Sequence, residues 1–397
     1  MKLNKVYIVS ALRTAVGRFG GSLKHFNSSD LSAATIKALI ANVEIPLAQI
    51  DEVIIGNVYQ AGGKGNPARQ AAIKAGLPKS IPAMTINKQC ASGMRSVSLA
   101  YQQIKAGEAE MILAGGTESM SNVPHILLNG RDGKKMGSMQ LEDSLLYDGL
   151  ICAMEDYHMG ITAENLAQQY KISREEQDQF SVNSQNKALY AIQQGLFKKE
   201  IVPIEVNSSK WFTEDEHPRK TTVEALKNLK PAFLKEGGTV TAGNSSGLND
   251  GASILLIVSE RALKKYNLQP LAEIISVASA GVEPRVMGIG PVPATRKALE
   301  KANLTIEEID LIELNEAFAV QALAVMKELD MNPDIVNVNG GAVALGHPVG
   351  SSGSRIIVSL VHELQKRNLS YGLATLCIGG GQGAAVIIKN VQDNLAE

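Results

Sequence analysis

Ser92-Gly93-Met94-Arg95 returns as Ser352-Gly353-Ser354-Arg355, an offset of 260 (92 to 352), and both stretches precede an apolar helical pattern. Upstream, Ala48-Gln49-Ile50-Asp51-Glu52-Val53-Ile54-Ile55 matches Glu307-Glu308-Ile309-Asp310-Leu311-Ile312-Glu313-Leu314, an offset of 259 (50 to 309). Downstream, Ile112-Leu113-Ala114-Gly115-Gly116 matches Leu376-Cys377-Ile378-Gly379-Gly380, an offset of 264 (112 to 376). A last pair, Gly251-Ala252-Ser253-Ile254-Leu255-Leu256-Ile257 and Gly383-Ala384-Ala385-Val386-Ile387-Ile388, stands only 132 apart (251 to 383). Four matches in one order, three at nearly constant offset, identify two copies of a unit. The fall to 132 inserts about 130 residues into the first copy, between roughly 120 and 250.

Each copy reads strand, helix, strand, helix, strand, which predicts an α/β fold with a mostly parallel buried sheet and helices on its faces. The helix after Cys90 carries Met94, Val97, Tyr101 and Ile104 on one face, and Gly107 is its natural stop. Its counterpart carries Ile357, Leu360, Val361 and Leu364. Met1-Lys2-Leu3-Asn4-Lys5 followed by Val6-Tyr7-Ile8-Val9 reads as a short strand, without a secretory pattern. The insertion has another texture: an exposed turn at Asn129–Lys135, a helix capped near Ser173-Arg174-Glu175-Glu176, Trp211, and a polar run from Thr213 to Lys220. It reads as a lid or loop domain over a site built by the two copies.

The composition narrows the function. The chain has 397 residues, 45% hydrophobic, enough for a large core and two or three domains. Thirty-nine basic against 40 acidic residues leave no basic face for nucleic acid or a membrane surface. The apolar run around Ile254–Val258 is far short of a membrane span. Three scattered cysteines predict neither disulfides nor a metal site, and suit a reducing, cytoplasmic location. The glycine clusters fit no phosphate-cradle or dinucleotide spacing, which excludes a nucleotide hydrolase or dehydrogenase.

Cys90 falls at a strand-to-helix turn, where helix N–H groups favour thiolate; the alternative is a small buried apolar residue. Cys377 precedes Gly379-Gly380-Gly381, a backbone suited to an oxyanion nest, but alone it reads better as a strand cysteine before a turn. His347 stands in Gly346-His347-Pro348, held by the proline in one backbone geometry. By the repeat register it falls where Cys90 does, and copies packed about a pseudo-twofold axis would bring the two helix starts face to face. Asn315 ends a strand, where it either faces a ligand or caps the helix expected from Ala317. Cys152 is assigned to packing, and His25, His217 and His362 to solvated or capping positions.

With Gln89-Cys90-Ala91-Ser92-Gly93, Asn315-Glu316-Ala317-Phe318-Ala319, Gly346-His347-Pro348 and Cys377-Ile378-Gly379-Gly380-Gly381 in place, the chain resembles the thiolase family, within it the acetyl-CoA acetyltransferases, over essentially its whole length. The resemblance implies a five-layered α-β-α-β-α core from two βαβαβαββ halves, 1–120 with 249–268 and 269–397, and a loop domain at 121–248. It implies a reversible Claisen condensation of two acetyl-CoA to acetoacetyl-CoA and CoA. Cys90 would be the acetylated nucleophile, His347 the base that takes its proton, and Cys377 the group that takes the α-proton of the second acetyl-CoA. His347 with a water held by Asn315 would stabilise the enolate, and the N–H groups of Cys90 and Gly379 the tetrahedral adduct. CoA contacts would come from Leu150, His158, Met159, Arg219, Phe233, Ala242, Ser246, Met287, Ala317 and Phe318. CoA thioesters are then substrates, with no separate cofactor or metal. A homodimer or homotetramer is implied, with 124–139 at the tetramer contact and Ser351, Ser352 and Ser354 of mild effect. The alternative is a degradative 3-ketoacyl-CoA thiolase of broader chain length.

Overall fold

Apolar side chains on both faces of a strand require cover on both sides, and β-strands throughout this chain have them. The computed structural model describes residues 5–391; Met1–Asn4 of the expected first strand and residues 392–397 of the expected C-terminal half lie outside the described residues. The first copy runs β1 (Val6–Thr14), α1 (Ser28–Ala41), β2 (Glu52–Gly56), α2 (Pro67–Lys74), β3 (Ala83–Ile86), α3 (Ser92–Ala106) and β4 (Met111–Ser119). A segment holding α4 (Met159–Tyr170) and α5 (Arg174–Gln193) interrupts it before β5 (Asn249–Ser259). The second copy runs β6 (Ala272–Gly281), α6 (Pro291–Ala302), β7 (Leu311–Leu314), α7 (Ala319–Glu328), α8 (Val349–Arg367), β8 (Tyr371–Ile378) and β9 (Gln382–Asn390).

The strands form one path, β7-β8-β9-β6-β1-β5-β4-β2-β3, whose halves meet where β1 and β6 pair antiparallel at Tyr7↔Glu273 and Ile8↔Ala272. Strands β2, β3 and β4 are parallel, as are β7 and β8. The expected mostly parallel sheet is corrected at one strand per copy: β5 and β9 run antiparallel to both neighbours. Between β8 and β9 only Gly379-Gly380-Gly381 intervene, too few residues for a crossover, so the pair closes as a hairpin.

The repeat is visible in single hydrogen bonds. Asp51 accepts from Glu110 N (2.6 Å) and Met111 N (2.9 Å) at the start of β4. Its counterpart Asp310 accepts from Ser370 N (2.9 Å) and Tyr371 N (2.8 Å) at the start of β8. The copies differ at their third strand, which in the second is reduced to a bridge between Ile312 and Val336. Asn337 substitutes for the missing ladder, its side chain bonding both Leu314 N (2.9 Å) and Leu314 O (2.8 Å).

Five layers follow from how alternate strand residues are shared. Leu255 and Ile257 of β5 join Met94 and Val97 of α3, Ile357 and Val361 of α8, and Leu376 and Val386 of the other half-sheet in a central core. Ile254, Leu256 and Val258 face outward onto Ile36 and Leu39 of α1 and Ala71 of α2. Leu373 and Ile387 face outward onto Val292 and Ala298 of α6 and Val325 of α7. Helices α3 and α8 thus lie between the half-sheets, and their starts touch through the repeated glycines. A Cβ on Gly93 would sit 2.9 Å from Gly350 O, and one on Gly353 2.7 Å from Met94 N.

The insertion begins and ends where β4 stops and β5 starts. Ser173 and Glu176 form the expected capping box on α5, and residues 129–135 are exposed. The polar run is less uniform than expected: Asp215 within it is buried and forks onto Arg13 of β1 at 2.7 and 2.9 Å. Among the described residues no helix is long and apolar enough to cross a membrane.

Candidate active site

Cys90 is placed by a turn that the sequence builds tightly. Strand β3 ends at Ile86, and Gln89 takes a left-handed backbone (φ 48°) unusual for its type. Ser92 locks the turn, accepting from Lys88 N at 2.8 Å and donating to Gln89 O at 2.7 Å. Cys90 is left immediately before Ala91, the cap position of α3. The expectation of a favoured thiolate is corrected here. Burial pushes the Cys90 thiol up to about 11, outweighing the N–H groups of Gly379 and Cys90 itself, which pull it down. The resting group is a thiol, and its proton needs an acceptor.

His347 lines the same cavity as Cys90. Its backbone N–H donates to Asn249 Oδ1 at 2.9 Å, and its Nδ1 lies 2.6 Å from Ser352 Oγ. Because the Ser352 hydroxyl donates to Pro348 O at 2.9 Å, Nδ1 carries the hydrogen and Nε2 keeps its lone pair. Nε2 is buried without a protein partner. Burial, then the Arg355 charge, pushes the imidazole down to about 4, so it is neutral at neutral pH. Ser352, expected to be of mild effect, is the side chain that holds the His347 ring.

Cys377, next to last in β8, is fully buried among Met159, Met287, Ala317 and Phe318. Burial, and then the nearby Cys90, push its thiol far up. Asn315 follows β7, its N–H on Thr375 O at 3.0 Å. It is not a helix cap, because α7 starts at Ala319 with Phe318 in the cap position. Both side-chain atoms of Asn315 are buried without a protein partner, which suits a carboxamide that holds a small polar group.

A cavity of about 310 Å³ joins Cys90 and His347. Its wall includes Cys90, His347 and Gly379, and of the expected CoA contacts Leu150, His158, Met159, Phe233, Ser246, Met287, Ala317 and Phe318. Cys377 and Asn315 lie behind that wall, while Arg219 and Ala242 are exposed outside it. His158 caps α4 by accepting from Gly160 N at 3.0 Å, which leaves its Nε2–H to donate. Its ring stacks on Phe233 at 4.5 Å, and Phe233 meets Phe318 edge-on at 6.2 Å. A Cβ on Gly379 would stand 2.9 Å from the Met159 methyl, the movable end of a cavity-wall side chain.

Of the other residues, Cys152 is buried in packing as expected, and His25 is exposed. His362 and His217 are corrected: His362 Nε2 sits 2.8 Å from Ala11 O, and His217 is part-buried with its ring against Gly247. The sequence reading missed Tyr59, Gln89, Glu118 and Asn249. Tyr59 and Gln89 line the cavity, and Asn249 and Glu118 hold backbone on either side of it. Only the positions of Asn249 and Glu118 beside the edges of the insertion could have signalled them.

Known proteins share this fold. Protein-family models described as thiolase, N-terminal domain and thiolase, C-terminal domain match residues 6–261 and 268–390. The chain is 54% identical over 391 residues to an acetyl-CoA acetyltransferase of Pseudomonas aeruginosa, covering 97% of this chain and 99% of that relative. A solved structure of the Bacillus anthracis acetyl-CoA acetyltransferase superposes with TM-score 0.95 at 44% identity, over 98% of this chain and 99% of that one. Human mitochondrial 3-ketoacyl-CoA thiolase in complex with CoA superposes with TM-score 0.95 at 47% identity, with the same coverage.

Proposed function

The chain belongs to the thiolase family, and from that membership we propose that it is an acetyl-CoA acetyltransferase, joining two acetyl-CoA into acetoacetyl-CoA and CoA, reversibly. The observation that carries the chemistry is that Cys90, His347 and Gly379 line one cavity, with Cys377 packed against its wall residues Met159, Met287, Ala317 and Phe318.

In the first half-reaction Cys90 sulfur attacks the acetyl carbonyl as its proton passes to His347 Nε2. The CoA thiolate leaves and takes the proton of Cys377. In the second, Cys377 thiolate takes the α-proton of the next acetyl-CoA, and the resulting carbon attacks acetyl-Cys90. Cys90 sulfur departs and recovers the proton held by His347, so the cycle closes with every group neutral. A thiol whose affinity for protons is raised suits a group that must take one from carbon. The N–H groups of Cys90 and Gly379 would receive the oxyanion of the adduct, each worth about 3 kcal/mol. His347 and a water on Asn315 would receive that of the enolate.

The inserted residues 121–248 serve in this reading as the CoA loop domain, with the N-terminal half at 1–120 and 249–268 and the C-terminal half at 269–397. His158, Phe233 and Phe318 would hold the pantetheine arm, and exposed Arg219 the adenine or a phosphate. Exposed Leu127, Leu128, Met136 and Met139 support a contact between dimers in a homotetramer. Two thiols that must stay reduced support a cytoplasmic location.

Mass spectrometry after mixing with acetyl-CoA tests the reading. Acetyl-Cys90 is expected in the wild type, is lost in Cys90→Ala, and forms without condensation in Cys377→Ser. Equal loss of acetylation in both variants overturns the division of labour. Cleavage of acetoacetyl-CoA and 3-ketohexadecanoyl-CoA by the same preparation separates the broader-chain reading; Met159 and Met287 in the cavity wall favour the short substrate.

A further inference from the structure

Glu118, next to last in β4, lies fully buried and outside the cavity wall, yet its carboxylate touches both sides of the site. Oε2 accepts from Val58 N at 3.0 Å and from Gly350 N at 2.9 Å. Oε1 accepts from Asn57 Nδ2 at 2.6 Å and from Tyr59 N at 3.2 Å. Val58 and Tyr59 belong to the first copy, and Tyr59 is cavity wall whose hydroxyl donates to Leu145 O of the insertion at 2.9 Å. Gly350 is the second residue of α8, three positions after His347, in the second copy.

Helix α8 needs this partner. Its own cap residue, Pro348, offers no side-chain hydrogen bond, so its first turn would keep orphan N–H groups inside the protein. Burial pushes the Glu118 carboxyl up to about 8, while the N–H groups of Val58, Tyr59 and Gly350 pull it down toward the carboxylate that also suits the positive end of the helix dipole. The seat has no slack. A Cβ on Gly350 would come within 2.7 Å of Glu118 Oε2, and one on Gly116 would fall on Gly350 O. Any shift of Glu118 therefore moves the start of α8, and with it the loop that presents His347.

We propose that Glu118 is a positioning residue for acetyl transfer: by capping α8 of one copy and clamping the Asn57–Tyr59 loop of the other, it sets the place of His347 relative to Cys90. It touches neither substrate nor sulfur. The inference rests on the proposed acetylation of Cys90, and wild-type acetylation is the control that separates the two: a wild type that never acetylates refutes the reaction and not the clamp.

The test is Glu118→Gln, equal in shape but with an NH₂ that must oppose one pair of N–H donors. Single-turnover acetylation of Cys90 is expected to fall about 100-fold, the scale of a displacement near 1 Å, while KM for acetyl-CoA moves less than about threefold. Alkylation of Cys90 by iodoacetamide at pH 10, which needs no base, is expected not to fall below the wild-type rate, because removing the Glu118 charge takes away one of the influences that push the thiol up. Glu118→Asp, which keeps the acceptors one methylene back, should restore part of the lost rate, and it carries the same comparison should the Gln variant not fold. Wild-type acetylation in either folded variant overturns the proposal. So does a parallel loss of acetylation and high-pH alkylation, which marks a general collapse of the site.

Discussion

Two titratable groups meet at the residue scale with their proton affinities pushed apart by burial, Cys90 up to about 11 and His347 down to about 4. Both are neutral near pH 7, so no thiolate–imidazolium pair waits in the resting site; in the proposed reaction the proton moves only as sulfur attacks. The displaced histidine also couples to stability. Between its ordinary value near 6.5 and about 4, the unfolded chain binds a proton there that the folded one refuses, so this histidine's own contribution to the unfolding free energy rises with pH across that window. The contribution is complete above about pH 6.5 and lost toward pH 4, up to about 3 kcal/mol. Urea unfolding from pH 4 to 8 checks it: His347→Gln should flatten the slope, and an unchanged slope assigns it elsewhere.

Elements meet here through glycines rather than side chains. Gly93 and Gly353 are repeat counterparts, and each lets its helix lie on the start of the other, which carries Cys90 and the His347 loop to one cavity. Gly353→Ala places a methyl 2.7 Å from Met94 N, and a well-packed core resists such overpacking by about 1–3 kcal/mol. A lower melting temperature and slower Cys90 acetylation are expected together. Loss of stability with full acetylation would show that the helix crossing does not control the site. The glycine repeat itself was legible in sequence; that each glycine contacts the other copy was not, because a pattern along one chain carries no partner.

Across the whole molecule, the insertion is tied to the doubled core by charge. Arg13 of β1 bonds Glu200 at 2.6 Å and Asp215 at 2.7 Å, all three nearly solvent-free; burial loosens the guanidinium's hold on its proton, but the charges of Asp215 and Glu200 outweigh it and raise that hold. Removing one partner of a buried pair leaves a stranded charge, so Asp215→Ala should cost about 3–5 kcal/mol, read as a drop in denaturant midpoint. An unchanged midpoint would show the insertion to be held by its apolar contacts alone. Asp215 read as part of a solvated run, because a charge pattern in sequence cannot show which side chain finds a counter-ion more than 200 residues away.

The linear order of residues was enough to determine the duplicated α/β unit and the place of its interruption, and to single out Cys90 and His347 as candidates. Repeat offsets, helical periodicity and glycine-bordered Cys and His are local properties that survive without coordinates. Tertiary structure decided the rest: the reversed closing strands, the thiol state of Cys90, the tautomer of His347 and the Glu118 clamp. Proton affinity depends on how much water is excluded, and a hydrogen bond on which atoms arrive within about 3 Å; both exist only after distant segments have been brought together.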